Sequence, residues 1–198
     1  MRLFAAVLPP AGVVSELGSV VDELRGPAGA DGVRQLPGAD GLRWTGRPGW
    51  HFTLAFYGEV AEDAMADLSE RLARAARRTA PFALSLRGGG RFGGRVLWAG
   101  ASGDVRTLRL LADRAEAAAR KAGIPMEDHR RYRPHLTVAR SRSDTDFEVY
   151  VTALDAFAGR EWTVGELCLV RSELPKSGVP GEQPRYETVA RWPLGAGA

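Results

Sequence analysis

Two of the chain's three histidines sit in the same short pattern: His51-Phe52-Thr53-Leu54 and, further along, His135-Leu136-Thr137-Val138. Both stretches have the apolar, β-branched character of strands. Side chains alternate between the two faces of a strand. Each copy therefore presents an imidazole and a hydroxyl on one face and anchors itself by an apolar pair on the other. If the two strands face one cleft, two imidazoles and two hydroxyls converge on a small volume. An ordinary imidazole titrates near neutrality, so one ring can take a proton from a water or hydroxyl while the other gives one to a leaving oxygen. Hydroxyls suit the non-bridging oxygens of a phosphate, where an anionic transition state needs fixed donors. The doubled pattern thus reads as equipment for metal-free phosphoester chemistry. A single His-x-Thr in a strand is ordinarily a half-buried, hydrogen-bonded pair, and it is the doubling that gives the pattern meaning.

The elements that must position these residues follow from hydrophobic periodicity. Arg2 to Leu8 reads as a strand, and Val13, Val14, Leu17, Val20, Val21 and Leu24 carry helical spacing behind it. Residues 26–49 are rich in Gly, Pro and Asp and read as a long loop anchored by Leu36, Leu42 and Trp44, leading into a strand edge. Trp50 to Tyr57 is the first motif strand. Glu62 to Arg78 is an amphipathic helix with Leu68, Leu72, Ala75 and Ala76 inward. Phe82, Leu84 and Leu86 alternate as a strand, GGGRFGG reads as the turn of a hairpin rather than a phosphate cradle, and Arg95 to Ala99 as its return. Asp104 to Ala122 is a helix stopped by Gly123. Pro134 to Arg140 is the second motif strand, Asp146 to Phe157 a helix, and 161–173 and 185–192 two last strands. The order β-α-β-α-β-β-α-β-α-β-β, with several strands in direct succession, predicts an α+β fold with largely antiparallel pairing.

Composition narrows the classes further. The 198 residues are 44% hydrophobic and 26% charged, with 27 Lys+Arg against 24 Asp+Glu and a formal charge of +3. This is a globular chain with enough apolar residues for a sizeable core, neither disordered nor collagen-like. The mild basicity permits an anionic ligand such as RNA. A single cysteine, Cys168, excludes an internal disulfide and reads as buried and inert, which suits a reducing cytoplasm. No group of Cys and His has zinc-site spacing. MRLFAAVLPP reads as a first strand rather than a signal peptide, and no stretch approaches the ~20 apolar residues of a membrane span.

Around the motifs lie further candidates. Arg130, Arg131, Arg133 and Arg140 surround the second copy, where arginine forks suit phosphate. Phe4, Phe56, Tyr57, Tyr132 and Tyr186 could stack on a nucleobase, whereas Trp44, Trp98, Trp162 and Trp192 read as packing residues. His129, beside Asp128, reads as exposed polar sequence.

With RLFAAVLPP at the start, HFTLAFYGEV after a Trp, PFALSLRGGGRFGGRVLWAG, RPHLTVAR and LVRSEL before a Tyr-containing last strand, the chain resembles the two-histidine (2H) phosphoesterase superfamily. Within it, the resemblance is to the RNA 2′,3′-cyclic phosphodiesterases, also described as 2′-5′ RNA ligases. It extends over nearly the whole chain. It implies one domain, residues 1–198, built as a bilobal fold of two pseudo-symmetric lobes around a central cleft. It implies hydrolysis of RNA 2′,3′-cyclic phosphate ends, such as those of a tRNA, or of a cyclic nucleotide, with no metal or other cofactor. A monomer is the default expectation, and the lone cysteine points to the cytoplasm. By the same pattern His51 is the general acid toward O3′ and His135 the general base toward water. Thr53 and Thr137 hold phosphate oxygens, and Arg140 contacts the phosphate or the neighbouring nucleotide. On the residues alone the two histidines are interchangeable in role. Two other readings stay open: a cyclic phosphodiesterase for a small nucleotide such as ADP-ribose cyclic phosphate, and a non-catalytic RNA-end binding module. AFYG departs from the aliphatic residue more usual in the family before that Gly, which bears on the substrate-contacting rim.

Overall fold

The run Leu3-Phe4-Ala5-Ala6-Val7 is apolar on both faces, and in the computed structural model it forms β1 (Arg2–Val7), with every one of those five residues buried. The structure describes residues 1–26, 41–126, 131–175 and 182–195. A strand apolar on both faces must be central, and β1 pairs with β3 (Phe52–Glu59) on one side and β8 (Glu166–Glu173) on the other. β9 (Arg185–Pro193) continues outward from β8. On the far side of β3 come β6 (Leu136–Ser141), β5 (Val96–Gly103), β4 (Phe82–Phe92) and β7 (Trp162–Val164), while β2 (Leu42–Trp44) adds to β6. The order is β7-β4-β5-β6-β3-β1-β8-β9, with antiparallel pairing throughout these strands.

The helices supply the apolar stripes that bury one face of this sheet. α2 (Met65–Arg77) and α3 (Val105–Lys121) pack on each other and on the β3 and β8–β9 half. The start of α3 is fixed by the Asp104 carboxylate accepting from the Thr107 amide at 3.0 Å, a satisfied N-cap. α4 (Glu148–Asp155) packs on β4 and β5, and α1 (Ala11–Arg25) packs against α4. Among the described residues each half of the main strand path thus has four strands and two helices, with β2 as a ninth strand on the edge of β6. Among the described residues no helix is long and apolar enough to cross a membrane.

Three local features depart from the sequence reading. The segment 161–173 is two strands, because the chain changes lobes at Gly165: β7 pairs with β4, and β8 with β1 and β9. Part of the 26–49 loop is strand β2, fastened to β6; Leu36 lies outside the described residues. The segment GGGRFGG is mostly strand, with the turn confined to Gly93-Gly94-Arg95. Gly89 and Gly90 are there for close approach. A Cβ on Gly89 would come within 2.5 Å of Leu154, and one on Gly90 within 2.2 Å of the Trp98 ring. Gly90 and Trp98 are cross-strand partners, so the missing side chain makes the space in which the indole lies.

Candidate active site

β3 and β6 meet at one register pair, Phe52 with Leu136. Both side chains are fully buried in the main core. Carrying that antiparallel register one residue each way sets His51 opposite Thr137 and Thr53 opposite His135. All four therefore project from the sheet face away from that core. The two histidines act on each other there: the His135 charge and the Arg140 charge both bear on His51. The structure thus brings His51, Thr53, His135, Thr137 and Arg140 to one face at the junction of the lobes.

Each imidazole has an aromatic cradle. Phe4 stacks on His51 with ring centroids 4.6 Å apart and planes 30° apart, and Tyr186 meets the same ring edge-on at 5.1 Å. Around His135, Phe92 stands edge-on at 4.8 Å and Trp98 at 6.5 Å. Arg133 lies over both of these, 5.2 Å from the Phe92 centroid and 6.0 Å from that of Trp98. Of the aromatic candidates for base stacking, Phe4 and Tyr186 support His51. Tyr57 is a core residue whose hydroxyl donates to the Ala115 carbonyl at 3.2 Å, and Tyr132 packs against the main core. Trp98, read as packing alone, lines the site. Phe92 escaped the sequence reading because it lies in the glycine-rich segment read as a turn; its pairing with Val96, two residues from Trp98 on β5, puts it on the face of Trp98.

Burial in these cradles holds His51 well below the ordinary imidazole value, at about 4, with Arg140 and His135 adding to the effect. His135 is lowered too, chiefly by burial, with Arg140 and Arg133 pushing the same way and the hydrogen bond to the Arg133 carbonyl opposing. That bond, Nδ1 to O at 2.7 Å, has a direct chemical consequence. A carbonyl only accepts, so Nδ1 carries the proton and the neutral ring keeps its lone pair on Nε2. Cys168 lies in a small buried cluster with Phe4, Ala6 and Val170, where burial pushes its thiol up to about 11.

Simple alternation does not bring Arg140 to this face, since it lies five residues after His135. A β-bulge does. Along β5, Trp98 pairs with Thr137 but Leu97 pairs with Ala139, leaving Val138 as an extra residue. Val138 and Ala139 are both buried, and Arg140 returns to the face of the histidines. The first motif repeats the device: Ala6 pairs with Thr53 and Ala5 with Ala55, with Leu54 extra. The residue so delivered is Phe56, 47% exposed, with the Arg2 guanidinium 4.7 Å above its ring. The repeat is therefore longer than four residues, HFTLAF against HLTVAR, and its sixth position differs: an open aromatic face in one lobe and a guanidinium in the other. Arg131 is exposed; Arg130, Asp128 and His129 lie outside the described residues.

The depressed His51 makes a prediction about stability. An imidazole held near 4 in the fold and near 6.5 in the unfolded chain binds fewer protons when folded. The stability it supports is complete above about pH 6.5 and is lost as pH falls toward 4. His51 alone is expected to contribute about 1.4 kcal/mol per pH unit across that window. Urea midpoints of the wild type and His51→Asn at pH 4.5 and 7 measure it. An equal pH dependence in the two proteins would refute the burial of the neutral ring.

Comparison with known proteins places this architecture. Residues 15–175 match the family model of the 2′-5′ RNA ligase superfamily. The chain is 33% identical over 156 residues to the RNA 2′,3′-cyclic phosphodiesterase of Geobacillus stearothermophilus, an alignment covering 76% of this chain and 47% of that protein. The chain thus spans about half the length of that relative. Against the enzyme of the same name from Aeropyrum pernix it is 32% identical over 144 residues, covering 71% of this chain and 79% of the other. Among solved structures, TT0787 of Thermus thermophilus superimposes with a TM-score of 0.70 at 30% identity, covering 98% of each chain. E. coli LigT in its apo form does so with a TM-score of 0.73 at 25% identity, covering 98% of this chain and 96% of the other.

Proposed function

The chain belongs to the 2′-5′ RNA ligase superfamily, and from that premise we propose that residues 1–198 form a single bilobal enzyme domain that hydrolyses RNA 2′,3′-cyclic phosphate ends to 2′-phosphomonoesters. The observation that carries the reading is the Phe52 to Leu136 register, which sets two imidazoles and two hydroxyls on one face. The names of the curated relatives support the substrate class.

In this mechanism His135, with its proton held on Nδ1 by the Arg133 carbonyl, uses Nε2 to take a proton from water. The water oxygen bonds to phosphorus as the P–O3′ bond breaks in line, and His51 gives a proton to the departing O3′. Water is consumed, a 2′-phosphate and a free 3′-hydroxyl remain, and the proton on His135 passes back through solvent to His51. Thr53 and Thr137 donate to the non-bridging oxygens, and the Arg140 guanidinium offsets the charge that gathers on them. The same in-line path with a 5′-hydroxyl in place of water as the nucleophile would join ends through a 2′-5′ bond and leave a free 3′-hydroxyl. The domain acts as a monomer in the cytoplasm, the compartment that suits its lone buried thiol.

The test is hydrolysis, in EDTA, of nucleoside 2′,3′-cyclic phosphates and of a short RNA with a 2′,3′-cyclic end, with the product identified by phosphorus NMR. A 2′-phosphate from the RNA is expected. Turnover of the mononucleotide alone would favour a small-nucleotide phosphodiesterase, and tight binding of the RNA without turnover would leave an RNA-end binding module.

A further inference from the structure

β3 leaves the edge of β6 after the Phe52 to Leu136 pair, and β2 takes up the same edge further along. Its register sets Leu42 against Ser141, Arg43 against Arg140 and Trp44 against Ala139. Cross-strand partners share a face. Ala139 is fully buried and Trp44 packs edge-on against buried Tyr150 in the main core, so Arg43 and Arg140 both project toward the histidines. Both are exposed, and among the described residues neither has a carboxylate partner. Like charges directly opposite on neighbouring strands repel, and a pair left this way is stabilised when an anion enters between them. The pair is also rigidly mounted. The Thr45 amide donates to the Val138 carbonyl at 2.8 Å, and the Gln183 side chain donates to the Trp44 carbonyl at 2.7 Å. Tyr186, the ring against His51, feels the charges of both Arg140 and Arg43, so the cationic pair and the imidazole share one continuous surface.

We propose that Arg43, together with Arg140, forms a subsite for a second phosphate group, the one carried on O5′ of the nucleotide whose cyclic phosphate lies at the histidines. This rests on the phosphodiesterase reading and narrows it, because a cyclic mononucleotide without that group would leave the subsite empty. The O5′ phosphate has two sources, the diester of an RNA chain or the 5′-phosphate of a small nucleotide. An arginine fork serves either by charge-assisted hydrogen bonds.

Three substrates and two variants test it: a nucleoside 2′,3′-cyclic phosphate, the same compound bearing a 5′-phosphate, and a dinucleotide ending in the cyclic phosphate, each with the wild type, Arg43→Gln and Arg43→Lys. The wild type is expected to prefer the two substrates bearing an O5′ phosphate. In Arg43→Gln that preference, taken as a ratio of kcat/KM, is expected to fall by about tenfold or more. Arg43→Lys, which keeps the charge but loses the fork, should fall between. The salt dependence of kcat/KM on the dinucleotide should also weaken, since one cationic contact to the substrate is lost. A dinucleotide preferred over the 5′-phosphorylated mononucleotide identifies an RNA chain, and the reverse a small nucleotide. Equal losses on all three substrates, or none, would overturn the subsite. If the wild type turned over none of them, the phosphodiesterase reading would fall instead. Calorimetric affinities of the three compounds for wild type and Arg43→Gln would then decide the subsite by the same contrast.

Discussion

Replacing either His51 or His135 by Asn is expected to lower kcat on a cyclic phosphate end by about 10²-fold or more, the usual contribution of a positioned acid or base, while KM moves only a few-fold. Asn is the informative substitution. At 135 its amide N–H can still reach toward the Arg133 carbonyl that holds Nδ1. At 51 it removes the titrating ring between Phe4 and Tyr186 without introducing a charge. The proton entering at one ring and leaving from the other makes the two histidines a unit. The double variant should therefore lose little more than the worse single one, as groups that act together behave. His129→Ala is the matched control and should leave kcat near the wild-type value. If either Asn variant kept more than a tenth of the wild-type rate, that histidine would be acting in packing or binding rather than in proton transfer.

The sequence made some of this legible. His-x-Thr-x occurs twice, and strand alternation alone places each His and Thr on one face with Phe52, Leu54, Leu136 and Val138 opposite. Three things lay beyond it. The pairing of Phe52 with Leu136 is a contact between distant segments, and no local pattern encodes which of several strands become neighbours. The bulges at Leu54 and Val138 break the period of two on which alternation relies, so the faces of Phe56 and Arg140 could be found only from the register of β1 and β5. β2 is three residues long in a stretch dense with Gly and Pro, too short for any periodicity, and it is the edge of β6 that makes it a strand. GGGRFGG misled for a related reason. Glycine signals a turn when chain reversal is the local need, but Gly89 and Gly90 serve the close approach of Leu154 and Trp98, a demand set by neighbours remote in sequence.

The duplicated geometry carries unlike charges, and that difference bears on the pH dependence. Arg140 stands where the first lobe has Phe56, and its positive charge disfavours a proton on both imidazoles. Burial acts in the same direction, so both rings of the free enzyme titrate below the ordinary value of 6.5, His51 at about 4. Turnover needs one proton on the pair, one ring charged and the other neutral. Above the higher of the two values the free enzyme holds neither proton, and kcat/KM falls about tenfold per pH unit. A bell-shaped kcat/KM profile with its maximum on the acid side of pH 6.5 is therefore expected. The anionic cyclic phosphate, once bound, favours the imidazolium, so the kcat profile should lie at higher pH than that of kcat/KM. Arg140→Gln separates the electrostatic cause from burial. It removes a neighbouring cation, so both limbs of its kcat/KM profile should move to higher pH even as the maximal rate falls through loss of the phosphate contact. Parallel profiles of kcat and kcat/KM from pH 4 to 9 for the wild type and Arg140→Gln provide the measurement. A lowered rate with unmoved limbs would show that Arg140 holds the substrate without setting the proton affinity of the histidines.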